Sequence, residues 1–228
     1  MFKGLAYLTA VVLLLGVAQI SAAAVSTIPG SAITSRSSAV SWTGRVTQRL
    51  TDGSGLSPGG TYGIHGYRFD DGWLTYGSQG NTNFRGGTPD GPAWVEFEFN
   101  RNYQLGELHV WNVVQITSRA MRNVQIHYST TGSTSNAGDW TKLGDFEIGK
   151  VNGTGHPGSD LGGSTGGETL ADFGGANAKF VVITANDVDG NWGGRGFGLS
   201  EVLFIPEPAS LVLLGLGGVA LLRRSRRS

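Results

Sequence analysis

The sequence predicts an all-β domain, and three observations carry that expectation. Short runs alternate apolar and polar residues with period two, as in Trp94-Val95-Glu96-Phe97-Glu98-Phe99 and Val124-Gln125-Ile126-His127-Tyr128-Ser129. The connections between such runs are glycine-rich, with 38 glycines against 7 prolines in the chain, a pattern of sandwiches and barrels. Between the two chain ends, no window of 11 or more residues repeats apolar positions with a helical period.

Taken in order, the elements follow from local chemistry. Val25 to Ser41 is small and polar and reads as a lead-in, with the domain starting near residue 40. Trp42 to Leu50 is expected to be the first strand, with Val46 and Leu50 as its apolar positions. Asp52-Gly53 is turn chemistry, because glycine admits positive φ. Pro58 to Asn83 is a long connection rich in aromatics: Tyr62, Tyr67, Phe69, Trp73 and Tyr76. In Trp94 to Phe99, Val95, Phe97 and Phe99 share one face. Glu96 and Glu98 share the other, expected to be solvated. Leu108 to Val113 is a second strand, and Val124 to Ser129 a third that buries Val124, Ile126 and Tyr128. Thr131-Gly132 turns the chain, and Trp140 to Ile148 presents Leu143, Phe146 and Ile148. Lys150 to Gly167 is almost wholly Gly, Ser, Thr and Asn and reads as a surface loop. Lys179 to Ala185 is a buried strand by its run Phe180-Val181-Val182-Ile183, and Leu199 to Ile205 is the last. The expected total is about eight strands.

The ends have a different character. Lys3, the apolar stretch Leu5 to Ile20, and Ser21-Ala22-Ala23-Ala24 have the layout of a signal peptide over residues 1–24. Ala22 and Ala24 form the A-x-A site, and cleavage is expected after Ala24. Residues 206–228 begin with Pro206-Glu207-Pro208, continue through an apolar run from Ala209 to Leu222, and close with arginines including Arg223 and Arg224. The run has 14 residues, short of the roughly 20 that span a bilayer comfortably. This tail resembles the PEP-CTERM sorting signal of Gram-negative bacteria that make exopolysaccharide. The resemblance implies export, transient insertion in the inner membrane, and processing by an exosortase.

Charge follows from removing these ends. The whole chain balances 17 basic and 17 acidic residues; without Lys3, the four tail arginines and Glu207, 12 basic face 16 acidic residues, a net charge near −4. That argues against nucleic acid as a partner, which selects a clustered basic face. There is no cysteine, so neither disulfides nor thiolate chemistry is available.

The span 40–205 is similar to the discoidin domains, also called coagulation factor 5/8 C-terminal domains. The blocks that carry the resemblance are Trp94-Val95-Glu96-Phe97, Val110-Trp111-Asn112, Val124 to Ser129, Trp140, and Gly198-Leu199-Ser200-Glu201-Val202-Leu203-Phe204. Asp52-Gly53-Ser54-Gly55-Leu56 and Asn191-Trp192-Gly193-Gly194 look like further blocks. The resemblance implies a galactose-binding-like fold, an eight-stranded antiparallel jelly-roll sandwich. It also implies one structural calcium ion where the first and last strands meet, with Asp52 and Glu201 in the positions of the carboxylate ligands and backbone carbonyls completing the shell. The glycine-rich loop 150–167 and the long connection after Leu56 depart from the family pattern.

No constellation asks to be catalytic. Asp187-Val188-Asp189-Gly190-Asn191 misses the EF-hand pattern, with Trp192 at the sixth position and Gly198 at the twelfth. Gly193 to Gly198 leads into a strand and not a helix, which excludes a phosphate-cradling loop. His65, His109, His127 and His156 lack metal-ligand spacing; His109 and His127 are expected to face solvent or a second layer. Glu96 and Glu98 lie on one strand face, the wrong arrangement to flank a glycosidic bond. Asn152-Gly153-Thr154 fits a glycosylation sequon that has little meaning in a bacterial exported protein. Trp73, Tyr76, Arg85 and Arg119 are candidate ligand residues by loop placement. The expected function is a non-catalytic, carbohydrate-binding-like module at the cell surface or in the extracellular matrix, with extracellular polysaccharide as partner. The alternative is a structural or adhesion protein working through protein–protein contacts.

Overall fold

The computed structural model describes residues 26–37, 45–59, 61–66, 72–75, 83–85, 88–89, 92–114, 116–150, 167–186 and 188–208. The signal-peptide segment with Ala22 and Ala24, Tyr76, His156, the sequon, most of the 150–167 loop, and Arg223 and Arg224 lie outside the described residues.

The described fold is all-β and antiparallel, as expected. Five long or central strands make its frame: β7 (Trp94–Asn112), β8 (Asn123–Ser129), β9 (Thr141–Glu147), β10 (Glu168–Ala185) and β11 (Gly198–Pro206). Six shorter ones are β1 (Ile33–Ser37), β2 (Leu56–Ser57), β3 (Ile64–His65), β4 (Trp73–Leu74), β5 (Asn83–Arg85) and β6 (Thr88–Pro89). The main sheet has the order β4-β11-β7-β10-β8-β9, with β1 also paired to β7. β2 pairs with β3, and β5 with β6, as separate two-stranded ribbons.

The expected strands Trp94–Phe99 and Leu108–Val113 are two halves of β7, and β7 turns a corner. Phe204 stands opposite Leu108 in the ladder, yet its ring centroid lies 5.1 Å from Phe97 and 5.0 Å from Phe99. Phe97 and Leu108 would be about 36 Å apart on a straight strand at about 3.3 Å per residue. The strand must therefore fold over itself. β10 makes the same bend, because its register with β7 breaks between Asp172 and Ala176. Gly174 (φ 58°) and Gly175 (φ 78°) occupy that break in the left-handed region, a β-bulge in which only glycine is comfortable. The result is two layers sharing two strands. Val95, Phe97 and Phe99 from one half of β7, Leu105, Leu108 and Val110 from the other, and Val124, Ile126, Val181, Ile183, Val202 and Phe204 fill one common core.

Several expectations are corrected. Of the expected first strand Trp42–Leu50, residues 42–44 lie outside the described residues, and Thr47–Leu50 is a 3-10 turn that drops Leu50 into the core. Among the described residues the first strand is Ile33–Ser37, inside the supposed lead-in, and it pairs with Val95 to Phe99. Its alternation is hidden because the residues are small and polar, and the ladder, not apolar burial, holds it. The Glu96–Glu98 face is not solvated throughout. Glu96 is 2% exposed and takes two bonds from the Arg36 guanidinium, at 2.5 and 3.2 Å, across the β1–β7 pair. Burial pushes the Glu96 carboxyl above its usual range, opposed by Arg36. Glu98, half-buried, pairs with Lys179 at 3.1 Å. For His109 and His127, expected to face solvent or a second layer, solvent is excluded, since each is only 6% exposed. His109 lies against Tyr62 (4.4 Å) and Trp111 (4.7 Å), so the segment carrying β2 and β3 forms the covering layer there. Burial and the Glu107 carboxylate it donates to push the Tyr62 phenol upward.

Candidate functional site

Three places gather the candidate residues: a loop rim at one end of the sandwich, the Asp52–Glu201 junction, and the exit of β11 at the opposite end.

The rim is built from the loops after β7, β9 and β10. Asn112 ends β7 and ties two of them down: its Nδ2 donates to the carbonyls of Met121 (2.8 Å) and Gly149 (3.0 Å), and its Oδ1 accepts from the Val113 amide (3.0 Å). Asn191 shapes the third, donating to the carbonyls of Gly194 (3.0 Å) and Gly196 (2.9 Å) and accepting from the Gly193 amide (2.9 Å). The Gly194 amide bonds the Ser118 carbonyl at 2.7 Å. A Cβ at Gly194 would meet Ser118 at 2.8 Å, so only glycine allows this approach. Trp192 is held by its amide on the Ala120 carbonyl (3.2 Å) and its indole N–H on the Ile148 carbonyl (3.3 Å). Arg122 lies 4.5 Å over the Trp192 ring and Lys150 5.8 Å from it. Arg119, half-buried beside Ser118, and exposed Arg195 complete the rim.

The acids near this rim have structural partners. Glu147 pairs with Arg122 at 3.1 Å, Glu168 accepts from the Gly149 amide at 2.6 Å, and Asp189 accepts from Asn123 at 2.6 Å. An aromatic ring flanked by guanidinium and ammonium donors can recognise hydroxylated or anionic ligands.

Of the four expected ligand residues, the structure places Arg119 on the rim. Trp73 is corrected: it is fully buried in β4 within the core and offers no ring face to a ligand. Arg85 lies on β5, which pairs with β6 away from the main sheet. Trp192, Arg122, Lys150 and Arg195 were missed as candidates; the signal was the Asn191-Trp192-Gly193-Gly194 block, whose side-chain amide shapes the loop around the ring.

Asp52 and Glu201 meet at one turn. Gly53 adopts φ 73°, and its amide donates to Glu201 Oε1 at 3.2 Å. Glu201 is fully buried. Asp52 is more open: its Oδ1 accepts from the Ser54 amide at 2.7 Å, and its Oδ2 lies 3.6 Å from the Arg49 guanidinium. The buried Glu201 carboxylate thus faces the Gly53 amide, while the Asp52 carboxylate faces the Ser54 amide and Arg49, and carboxylates and carbonyls are the donors calcium takes. Among the described residues no third His, Cys, Asp or Glu joins them, so further ligands would be backbone carbonyls, and Arg49 would have to leave Asp52.

At the other end β11 runs into Pro206, opposite Leu105, and the Glu207 amide bonds the Gln104 carbonyl at 2.9 Å.

Comparison with known proteins adds the following. No curated protein matches the chain. The chain is similar to the solved structure of CBM32-3 from a family 31 glycoside hydrolase of Clostridium perfringens, at 12% identity over 79% of this chain and 95% of that one, TM-score 0.49. It is similar to the family 32 CBM of C. perfringens NanJ in complex with galactose, at 12% identity over 78% and 96%, TM-score 0.44. It is also similar to the CBM32-1 and CBM32-2 domains of C. perfringens ZmpB in complex with GalNAc, at 14% identity over 79% of this chain and 34% of that one, TM-score 0.49. The model of the PEP-CTERM protein-sorting motif matches residues 204–227. The chain thus carries a PEP-CTERM sorting motif, the mark of a secreted protein processed at the membrane.

Proposed function

We propose that this chain is a non-catalytic module, processed by an exosortase and displayed at the surface or in the matrix of a Gram-negative cell, that binds extracellular polysaccharide through the rim around Trp192. The observation that carries this is the Trp192 ring, fixed at two backbone bonds and flanked by Arg122 and Lys150. Aromatic rings pack against the apolar faces of sugars while neighbouring donors bond hydroxyls. The discoidin-like sequence blocks support the same reading. One structural calcium ion at Asp52 and Glu201 belongs to it, supported by the discoidin-like blocks and by the buried Glu201 carboxylate reaching Gly53, the residue after Asp52.

The test is binding of residues 26–208 to a panel of polysaccharides, including the host's own extracellular polymer, in calcium and in chelator. Saturable binding competed by a simple sugar is expected; no binding to any polymer by a folded sample refutes it.

A further inference from the structure

The sorting motif is not a loose tail on the sandwich: its first two residues are the last rungs of a sheet. Pro206 closes the β11–β7 ladder opposite Leu105, and the Glu207 amide donates to the Gln104 carbonyl. Two glycines form the seat. A Cβ at Gly106 would stand 3.5 Å from the Glu207 nitrogen and 3.6 Å from its Cα, and 3.3 Å from the Ile205 carbonyl. A Cβ at Gly175, in the β10 bulge, would lie 3.4 Å from Glu207 Cγ. A Cβ at Gly106 would crowd the Ile205 carbonyl, and the remaining distances are those of van der Waals contact, so Glu207 lies directly over both glycines. The bulge that turns the sandwich corner is also the surface on which the motif's glutamate rests. No spacer separates domain from motif, and the apolar run begins at Ala209, about 7 Å beyond Glu207 in extended chain.

We propose that the folded domain holds its own sorting motif closed, so that a processing enzyme at the membrane gains Pro206-Glu207 only when the end of β11 frays from Gln104, Leu105 and the Gly106–Gly175 seat. The partner surface is the β7/β10 corner with the docked motif, and processing is gated by local opening of one strand end. Strand ends open at low free-energy cost, so the gate slows processing without abolishing it. The inference rests on residues 204–227 acting as a sorting signal.

The experiment uses the full chain in an exosortase-bearing host that exports it. One form is native; the other carries Gly-Ser-Gly-Ser between Ile205 and Pro206, which keeps Pro206-Glu207-Pro208, the apolar run and the arginines in order and moves them off the seat. Pulse–chase should show the spacer form processed faster, by up to about tenfold, the change expected for releasing one hydrogen-bonded rung. In the full chain held in detergent micelles, amide exchange at Glu207 should be about tenfold slower than in a peptide of residues 204–227. Equal processing rates, or peptide-like exchange at Glu207, overturn the proposal. If neither form is processed while both are exported, the sorting reading itself fails, a result distinct from equal processing of both.

Discussion

Replacing Phe204 by alanine should separate the two layers of the sandwich. Phe204 is fully buried and touches Phe97 and Phe99 edge-on at 5.1 and 5.0 Å. Truncating a fully buried phenylalanine costs about 3–5 kcal/mol, and each edge-on ring pair accounts for about 0.5–1.5 kcal/mol of that. Two such pairs put Phe204 in the upper half of the range, about 4 kcal/mol. For a domain of this size each kcal/mol moves the melting temperature by about 2–4 °C, so Phe204→Ala should melt about 8–16 °C lower. Phe146 is the control: it is half-buried on β9, at the sheet edge, and its truncation should cost about 1–2 kcal/mol. Thermal and urea unfolding of both variants decide the matter. A loss at Phe204 no larger than that at Phe146 would refute the argument that β7 folds back to bring Phe97 and Phe99 onto β11.

Three further outcomes follow from particular contacts. Burial raises the Glu96 carboxyl pKa in the folded state, so protonation favours folding below the unfolded pKa and that gain is lost as pH rises through the folded one. Glu96→Gln, which leaves the half-exposed Arg36 in water, should therefore be neutral or stabilising by about 1 kcal/mol at pH 7; its advantage over the parent should shrink as urea midpoints are followed down to pH 4, and a variant markedly less stable at pH 7 would contradict this. Millimolar calcium should raise the melting temperature of the parent relative to chelator, and not that of Glu201→Gln; identical parent melts in both conditions would remove calcium from the account. Gly194→Ala, whose Cβ meets Ser118 at 2.8 Å, should weaken saccharide binding about tenfold while leaving the far-ultraviolet spectrum unchanged; native affinity would mean that the rim does not depend on that approach.

How much of this was legible in sequence depends on what each residue exploits. Period-two alternation located Trp94–Phe99 and Val124–Ser129, because Val95, Phe97, Phe99, Val124 and Ile126 declare the core face, and it missed the Glu168–Ala178 half of β10, whose buried Ala171 and Phe173 stand among polar residues and glycines. It failed for Ile33–Ser37, which is held by backbone pairing and by Arg36 reaching Glu96, a contact 60 residues away. The same failure made Glu96 look solvated. Trp73 looked like a loop aromatic because its two-residue strand has no period to read; only its pairing with Leu199 shows it to be core. The corner in β7 and β10 was half visible as glycines 174 and 175, but which strands bend is a tertiary fact. The tail was readable because its triplet, apolar run and arginines stand in fixed order. The rim was not, since its ring and cations come from three loops gathered by the side-chain amides of Asn112 and Asn191.

The most direct measurement of the central claim is the backbone amide spectrum of residues 26–208 during titration with the oligosaccharide that competes polymer binding. Shifts concentrated in residues 117–122 and 190–196, lost in Trp192→Ala with the fold retained, are the predicted result. Shifts centred instead on residues 100–106 and 172–177, at the end that holds the sorting motif, would contradict the account.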